Sequence, residues 1–175
     1  MNLKLSQHFS VKEFFTSPYP EKKKIYREFL EKTGEKKCKQ NIDNRHTIYL
    51  EHIRTYFNEG KYKIEGKERS IILTSGWRFI DAKNPFKSQH PLGRGVDWVV
   101  SGIEPLEVKL YILENWRQDK ILQLIRGIED FDGMTWIHTD VRNSNRLYWF
   151  SKHGGTVSNE FYKTLIKNEL TTLRH

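Results

Sequence analysis

In the first third of the chain apolar residues recur at helical spacing, and from Ser70 onward they come in short, β-branched runs. Ser10 stands before Val11-Lys-Glu-Phe-Phe with Glu13 three positions on, a capping-box pattern that opens a short helix. Ser17-Pro-Tyr-Pro closes it, because proline disfavours helix in the residue before it. Across Glu21–Lys32 the apolar positions are Ile25, Phe29 and Leu30 among charges, and Gly34 is a natural stop. Asn41–Tyr56 aligns Ile42, Ile48, Tyr49, Ile53 and Tyr56 near one helical stripe, with Asn58-Glu-Gly60 after it.

The second part reads differently. Ser70-Ile-Ile-Leu-Thr-Ser has the character of a buried strand, Trp77–Pro91 reads as an irregular loop, and Gly95-Val-Asp-Trp-Val-Val is a second strand. Pro105–Trp116 predicts a helix with Leu106, Leu110, Ile112 and Leu113 on its apolar side. Ile121–Ile128, Thr135–Val141 and Leu147–Phe150 are further strands, and Ser158–Leu170 a closing helix. Helices first and strands afterwards give one α+β domain over residues 1–175, with a central, mostly antiparallel sheet and flanking helices. Residues 1–60 form its helical part, 70–150 its sheet and loops, and 151–175 its C-terminal helix.

Composition narrows the class. At 175 residues, 37% hydrophobic and 13% aromatic, the chain has enough apolar side chain for a folded core and is not a disordered polymer. Its net charge of +8 is unevenly spread, with many lysines in the stretch Glu21–Lys39, a solvated helix face that also suits anionic polymers. Cys38 is the single cysteine, which excludes an internal disulfide and cysteine-rich zinc modules and leaves histidine and carboxylate as metal ligands. Met1-Asn-Leu-Lys-Leu-Ser lacks the apolar stretch of a secretory signal, and no run approaches the ~18 apolar residues of a membrane span. The expectation is a protein made in the cytoplasm, not inserted in a membrane, and monomeric.

Two segments carry the chemistry. In Ser88-Gln-His-Pro-Leu-Gly-Arg-Gly-Val-Asp97-Trp a histidine, His90, ends a loop and an aspartate lies in the strand that follows, with Gly93 and Gly95 allowing the two to converge. In Thr135-Trp-Ile-His138-Thr-Asp140-Val-Arg, strand alternation puts Trp136, His138 and Asp140 on one face and Ile137, Thr139 and Val141 on the core side. Two histidines and one carboxylate are a common catalytic zinc set, with water in the fourth position. The remaining histidines, His8, His46, His52, His153 and His175, show no partner pattern and read as surface or helix residues.

Ser88-Gln-His90, Gly93-Arg-Gly-Val-Asp97 and Trp136-Ile-His138 resemble the motifs of the zinc peptidases of the lysostaphin/D-Ala-D-Ala/hedgehog group, in particular their phage-like carboxypeptidase branch. Leu5-Ser-Gln-His-Phe-Ser-Val-Lys-Glu-Phe14 is similar to that family's opening segment and Thr74-Ser-Gly-Trp-Arg78 to its Ser-Gly-Tyr-Arg, so the likeness runs from about Leu5 to Phe150. The resemblance implies that His90, Asp97 and His138 hold Zn2+, that Arg78 binds and polarises the substrate carbonyl, and that Ser88 hydrogen-bonds the substrate. Trp136 would shape the cleft wall. The acid that moves the proton stays open. The family's usual position falls on Thr135 and the hedgehog-type position on Asp132, which is the first choice, with Asp140 an independent candidate and Glu129 third.

The function this implies is zinc-dependent hydrolysis of peptide bonds in peptidoglycan stems, by a carboxypeptidase or endopeptidase. It would act on the cell wall after release from a lysing cell, or be carried by a phage particle. The alternative is a non-catalytic, zinc-stabilised binding module of the same fold. Nucleic-acid binding would rest on charge alone, with no recognised motif, and is not expected.

Overall fold

The computed structural model describes residues 2–80, 88–131 and 133–151, together with Thr164. The expected closing helix at Ser158–Leu170, apart from Thr164, and the candidate acid Asp132 fall outside the described residues. Four helices come first: α1 (Val11–Phe14), α2 (Pro20–Thr33), α3 (Glu35–Lys39) and α4 (Arg45–Tyr56). The Glu13 carboxylate accepts from the Ser10 N–H at 2.7 Å and so satisfies a free donor at the start of α1. Pro20 occupies the first turn of α2, where its missing N–H costs nothing, and Gly34 ends that helix at φ +85°. Then follow β1 (Ile71–Ser75), β2 (Gly95–Val100), α5 (Pro105–Asn115), β3 (Gly127–Asp130), β4 (Ile137–Asp140) and β5 (Tyr148–Ser151).

The five strands form one mixed sheet in the order β1-β2-β4-β3-β5. All neighbours are antiparallel except β3 and β5, which are parallel. Gly127 pairs with both Asp140 at the end of β4 and Tyr148 at the start of β5. The connection 141–147 therefore only has to cross the head of β3, which is why so short a link can place β5 on the far side. The α+β, mostly antiparallel architecture expected from the sequence is the one observed.

Three local expectations are corrected. In α4 the buried stripe is Tyr49, Leu50 and Ile53, continued by Phe57, while Ile48 is 50% and Tyr56 37% exposed. His46 and Thr47 are polar yet buried, so an apolar pattern alone rotates the apparent inner face of this helix. In α2, Tyr26 and Leu30 face inward and Ile25 is half exposed. Residues 121–128 are not one strand: Leu122–Leu124 is a 3-10 turn and extended backbone begins at Gly127.

The sheet has two chemically distinct faces. Val96, Trp98, Thr139, Ile137 and Ile128 point into the core shared with α4 and α5, where Leu50, Ile53 and Ile112 are fully buried. On the opposite face the cross-strand register aligns Ser75, Asp97, His138, Glu129 and Phe150 in a single row across all five strands. An aromatic cluster clamps α2 over one end of this face, with Phe29 stacked on Trp77 at 5.1 Å and Tyr26 on Phe79 at 5.6 Å.

Candidate metal centre

His90 opens a 3-10 turn, His90–Leu92, that ends on Gly93 in the left-handed region at φ +68°. A β-carbon at Gly93 would lie 1.8 Å from the Asn41 carbonyl oxygen, so glycine alone lets this turn press against the segment before α4. The turn aims His90 at Asp97 and His138, which the ladder between β2 and β4 sets directly opposite each other. All three are buried.

Their donor atoms converge. Asp97 Oδ1 lies 2.7 Å from His138 Nδ1 and 3.3 Å from His90 Nε2, and the two histidine nitrogens are 3.2 Å apart. Bonds of 2.0–2.1 Å in a tetrahedron place neighbouring donors about 3.3 Å apart. Two edges already match that value, and the third is at hydrogen-bond length. Among the described residues this is the one group of histidine, cysteine or acidic side chains able to hold a metal ion.

The outer partners set the tautomers. His90 Nδ1 donates to the Gly76 carbonyl at 2.6 Å, which leaves the Nε2 lone pair directed at the centre. His138 Nε2 lies 3.9 Å from both Glu129 Oε1 and Asp140 Oδ2, so carboxylates stand on the side where its ring proton belongs and Nδ1 is left for the centre. Burial opposes ionisation of Asp97, yet the hydrogen bond from His138 and the pull of the neighbouring imidazoles hold its carboxyl far below the usual carboxylate range. Burial pulls His90 down and outweighs its attraction to Asp97. Burial also opposes charge on His138, but Asp97 and the two further carboxylates prevail and raise it. A metal ion would displace that proton.

The centre forms the floor of a cleft of about 610 Å³. Lys22, Ile25 and Tyr26 of α2, Phe79, Glu129, Trp136 and Arg142 also line it. Arg78 lines the cleft and is itself paired with Asp97 Oδ2, its Nε donating to Ser75 Oγ at 2.8 Å. Ser88 also lines the cleft, and its Oγ accepts from the His90 N–H at 3.3 Å. Trp136 stands just before β4 and is 38% exposed. The structure thus places Arg78, Ser88 and Trp136 in the same cleft as His90, Asp97 and His138.

Asp140 shares the face of His138, as alternation requires, but it is fully buried and does not line the cleft. Arg142 holds both its oxygens, with Nε 2.8 Å from Oδ1 and Nη2 on Oδ2. Arg142 in turn lies over the Phe150 ring at 4.4 Å. A β-carbon at Gly127 would fall 2.3 Å from Asp140 Oδ2, so this glycine makes the space for the carboxylate. Asp140 is therefore placed to brace His138 rather than to meet solvent in the cleft. Glu129 is the acid that does meet it: besides Asp97 it is the one cleft-lining carboxylate among the described residues, with a side chain 39% exposed.

His46 is a further correction. It is a helix residue, as expected, but it is fully buried, with Nδ1 2.8 Å from the Tyr49 hydroxyl and Nε2 3.2 Å from the Gly93 carbonyl. His8 and His52 also have partners, Glu51 and Asp119, each at 2.7 Å. His153 and His175 lie outside the described residues.

Fold and site together define an α+β domain with a buried His-Asp-His group that can hold a metal ion. No family model, curated protein or solved structure matches the chain. Among the described residues no helix is long and apolar enough to cross a membrane.

Proposed function

We propose that this protein is a zinc-dependent peptidase that hydrolyses peptide bonds in peptidoglycan stems. The observation that carries the reading is the convergence of His90 Nε2, Asp97 Oδ1 and His138 Nδ1 on the floor of an open cleft. A set of three protein donors leaves a fourth position for water or substrate, which is the pattern of a catalytic rather than a structural site. The peptidoglycan substrate rests on the motif resemblance of Ser88-Gln-His90, Gly93-Arg-Gly-Val-Asp97 and Trp136-Ile-His138.

Zinc, when bound, supplies a Lewis acid and a bound water whose pKa falls to about 7. The chain supplies the rest. Arg78, always charged, offers donors at the cleft side of Asp97 where a substrate carbonyl would sit. Glu129 takes the proton-transfer role, as the acidic side chain among the described residues that is both beside His138 and open to the cleft. Trp136 and Phe79 bring exposed apolar surface to the cleft, which would hold an extended peptide. Lys22 brings positive charge to the cleft, which suits a peptide bearing carboxylates.

Digestion of purified peptidoglycan, with products identified by mass, tests the reading. Zinc-loaded wild type should release peptide fragments and Glu129→Gln should not. Stoichiometric zinc without hydrolysis of any peptidoglycan preparation would overturn the enzyme and leave a binding module of the same fold.

A further inference from the structure

On the core side of the sheet, four side chains from three elements form one line of hydrogen bonds. Trp98 Nε1 donates to Thr139 Oγ1 at 2.8 Å, Thr139 Oγ1 lies 2.7 Å from the Tyr49 hydroxyl, and that hydroxyl lies 2.8 Å from His46 Nδ1. His46 Nε2 completes the line at 3.2 Å from the Gly93 carbonyl. Trp98, Thr139, Tyr49 and His46 are all at 0% exposure, so no water shares these bonds from outside.

The direction of the line is fixed from its two ends. An indole N–H only donates and a carbonyl only accepts. His46 therefore carries its proton on Nε2, the Tyr49 hydroxyl donates to Nδ1, and the Thr139 hydroxyl donates to Tyr49. Each hydroxyl donates once and accepts once, and each polar atom in the line is satisfied in this one arrangement. Burial holds His46 down to about 4, so near neutral pH it is in the uncharged form the line requires.

The line is anchored beside each of the three ligands. Trp98 follows Asp97, Thr139 follows His138, and Gly93 ends the turn that His90 begins, its N–H donating to the His90 carbonyl at 2.9 Å. The ladder between β2 and β4 already fixes Asp97 against His138. His90 is on a turn outside that ladder, tied at its ring to the Gly76 carbonyl and at its far end to α4 through Gly93. We propose that Trp98, Thr139, Tyr49 and His46 are positioning residues that set the distance from the His90 turn to the two ligand-bearing strands. This inference rests on the metal reading above. The Gly93 carbonyl is gripped twice, by His46 and by the Asp43 N–H at 3.1 Å, so the register of the turn follows α4. Functional side-chain sets must be held within about 0.5 Å of their productive geometry, so the grip on this turn matters to the site.

The test measures zinc affinity by chelator competition and the d–d spectrum of the Co2+-substituted protein. Wild type, Thr139→Val, Thr139→Ser, Tyr49→Phe and the Thr139→Val/Tyr49→Phe double variant are compared, with circular dichroism of each metal-free protein. Thr139→Val and Tyr49→Phe should each weaken zinc binding about 10- to 100-fold and shift the Co2+ spectrum. Thr139→Ser, which keeps the hydroxyl, should stay within a few-fold of wild type. The double variant should lose no more than the worse single one, because both break the same line. Folded valine and phenylalanine variants that bind zinc like wild type would reduce the line to core packing, and equal losses in serine and valine variants would do the same. Should Thr139→Val fail to fold, Tyr49→Phe, which loses a single oxygen, decides alone. A wild type that binds no zinc would overturn the metal reading itself, and the relay with it.

Discussion

Asp97 and His138 are direct partners across β2 and β4, with Oδ1 of one 2.7 Å from Nδ1 of the other. The same Oδ1 is 3.3 Å from His90 Nε2, and the second oxygen takes Arg78. Every donor of the centre is thus tied to one carboxylate. Asp97→Ala should lower zinc affinity by at least about 100-fold, since even outer partners of a ligand cost 10- to 100-fold. Chelator competition measures it; an affinity near that of wild type would place the metal elsewhere.

The two acids beside His138 should behave differently. Glu129→Gln is expected to reduce kcat by about 10²- to 10⁴-fold with zinc content unchanged. Asp140→Asn removes a fully buried charge from Arg142 and should cost about 3 kcal/mol of stability in urea denaturation. Its loss of activity should track zinc occupancy. If Asp140→Asn abolished turnover in a fully zinc-loaded protein while Glu129→Gln did not, the two roles would be exchanged.

His46 gives the protein a specific acid sensitivity. Its folded value, about 4, lies below the ordinary 6.5 because burial disfavours the charged ring. Between those values the unfolded chain binds the extra proton. The contribution is therefore fully present above about pH 6.5 and is lost as pH falls toward 4, on the order of 3 kcal/mol in all. Urea midpoints at pH 7.5, 5.5 and 4.5 should converge between wild type and His46→Gln as the pH drops. A constant gap between them would contradict this.

Gly93→Ala should destabilise the fold by about 3 kcal/mol, because alanine resists φ +68° and its β-carbon would meet the Asn41 carbonyl. Thermal unfolding of the metal-free protein reads this directly. A variant as stable as wild type would mean that the His90 turn can move away from α4.

The convergence of His90, Asp97 and His138 was legible in the sequence because each lies in a short local pattern: a glycine-flanked turn for His90 and Asp97, and strand alternation for His138. Alternation also put Asp140 on the right face. It could not say that Arg142 closes over that carboxylate, because that contact depends on the turn after β4. Glu129 enters the site only through the register of β3 against β4, a long-range property that no local spacing encodes. The parallel direction of β5 was equally hidden, since an apolar run such as Leu147–Phe150 specifies a strand and not its orientation. His46 was misread for a different reason. A polar residue on a buried helix face is recognisable only when its partners, here Tyr49 and Gly93, are known.

The most direct measurement is digestion of purified peptidoglycan by chelator-stripped protein, with and without added zinc, followed by mass analysis of the products. Zinc should restore cleavage of a stem-peptide bond by wild type and not by His138→Ala. No cleavage with zinc bound, or equal cleavage by stripped protein or by His138→Ala, would contradict a zinc peptidase built on His90, Asp97 and His138.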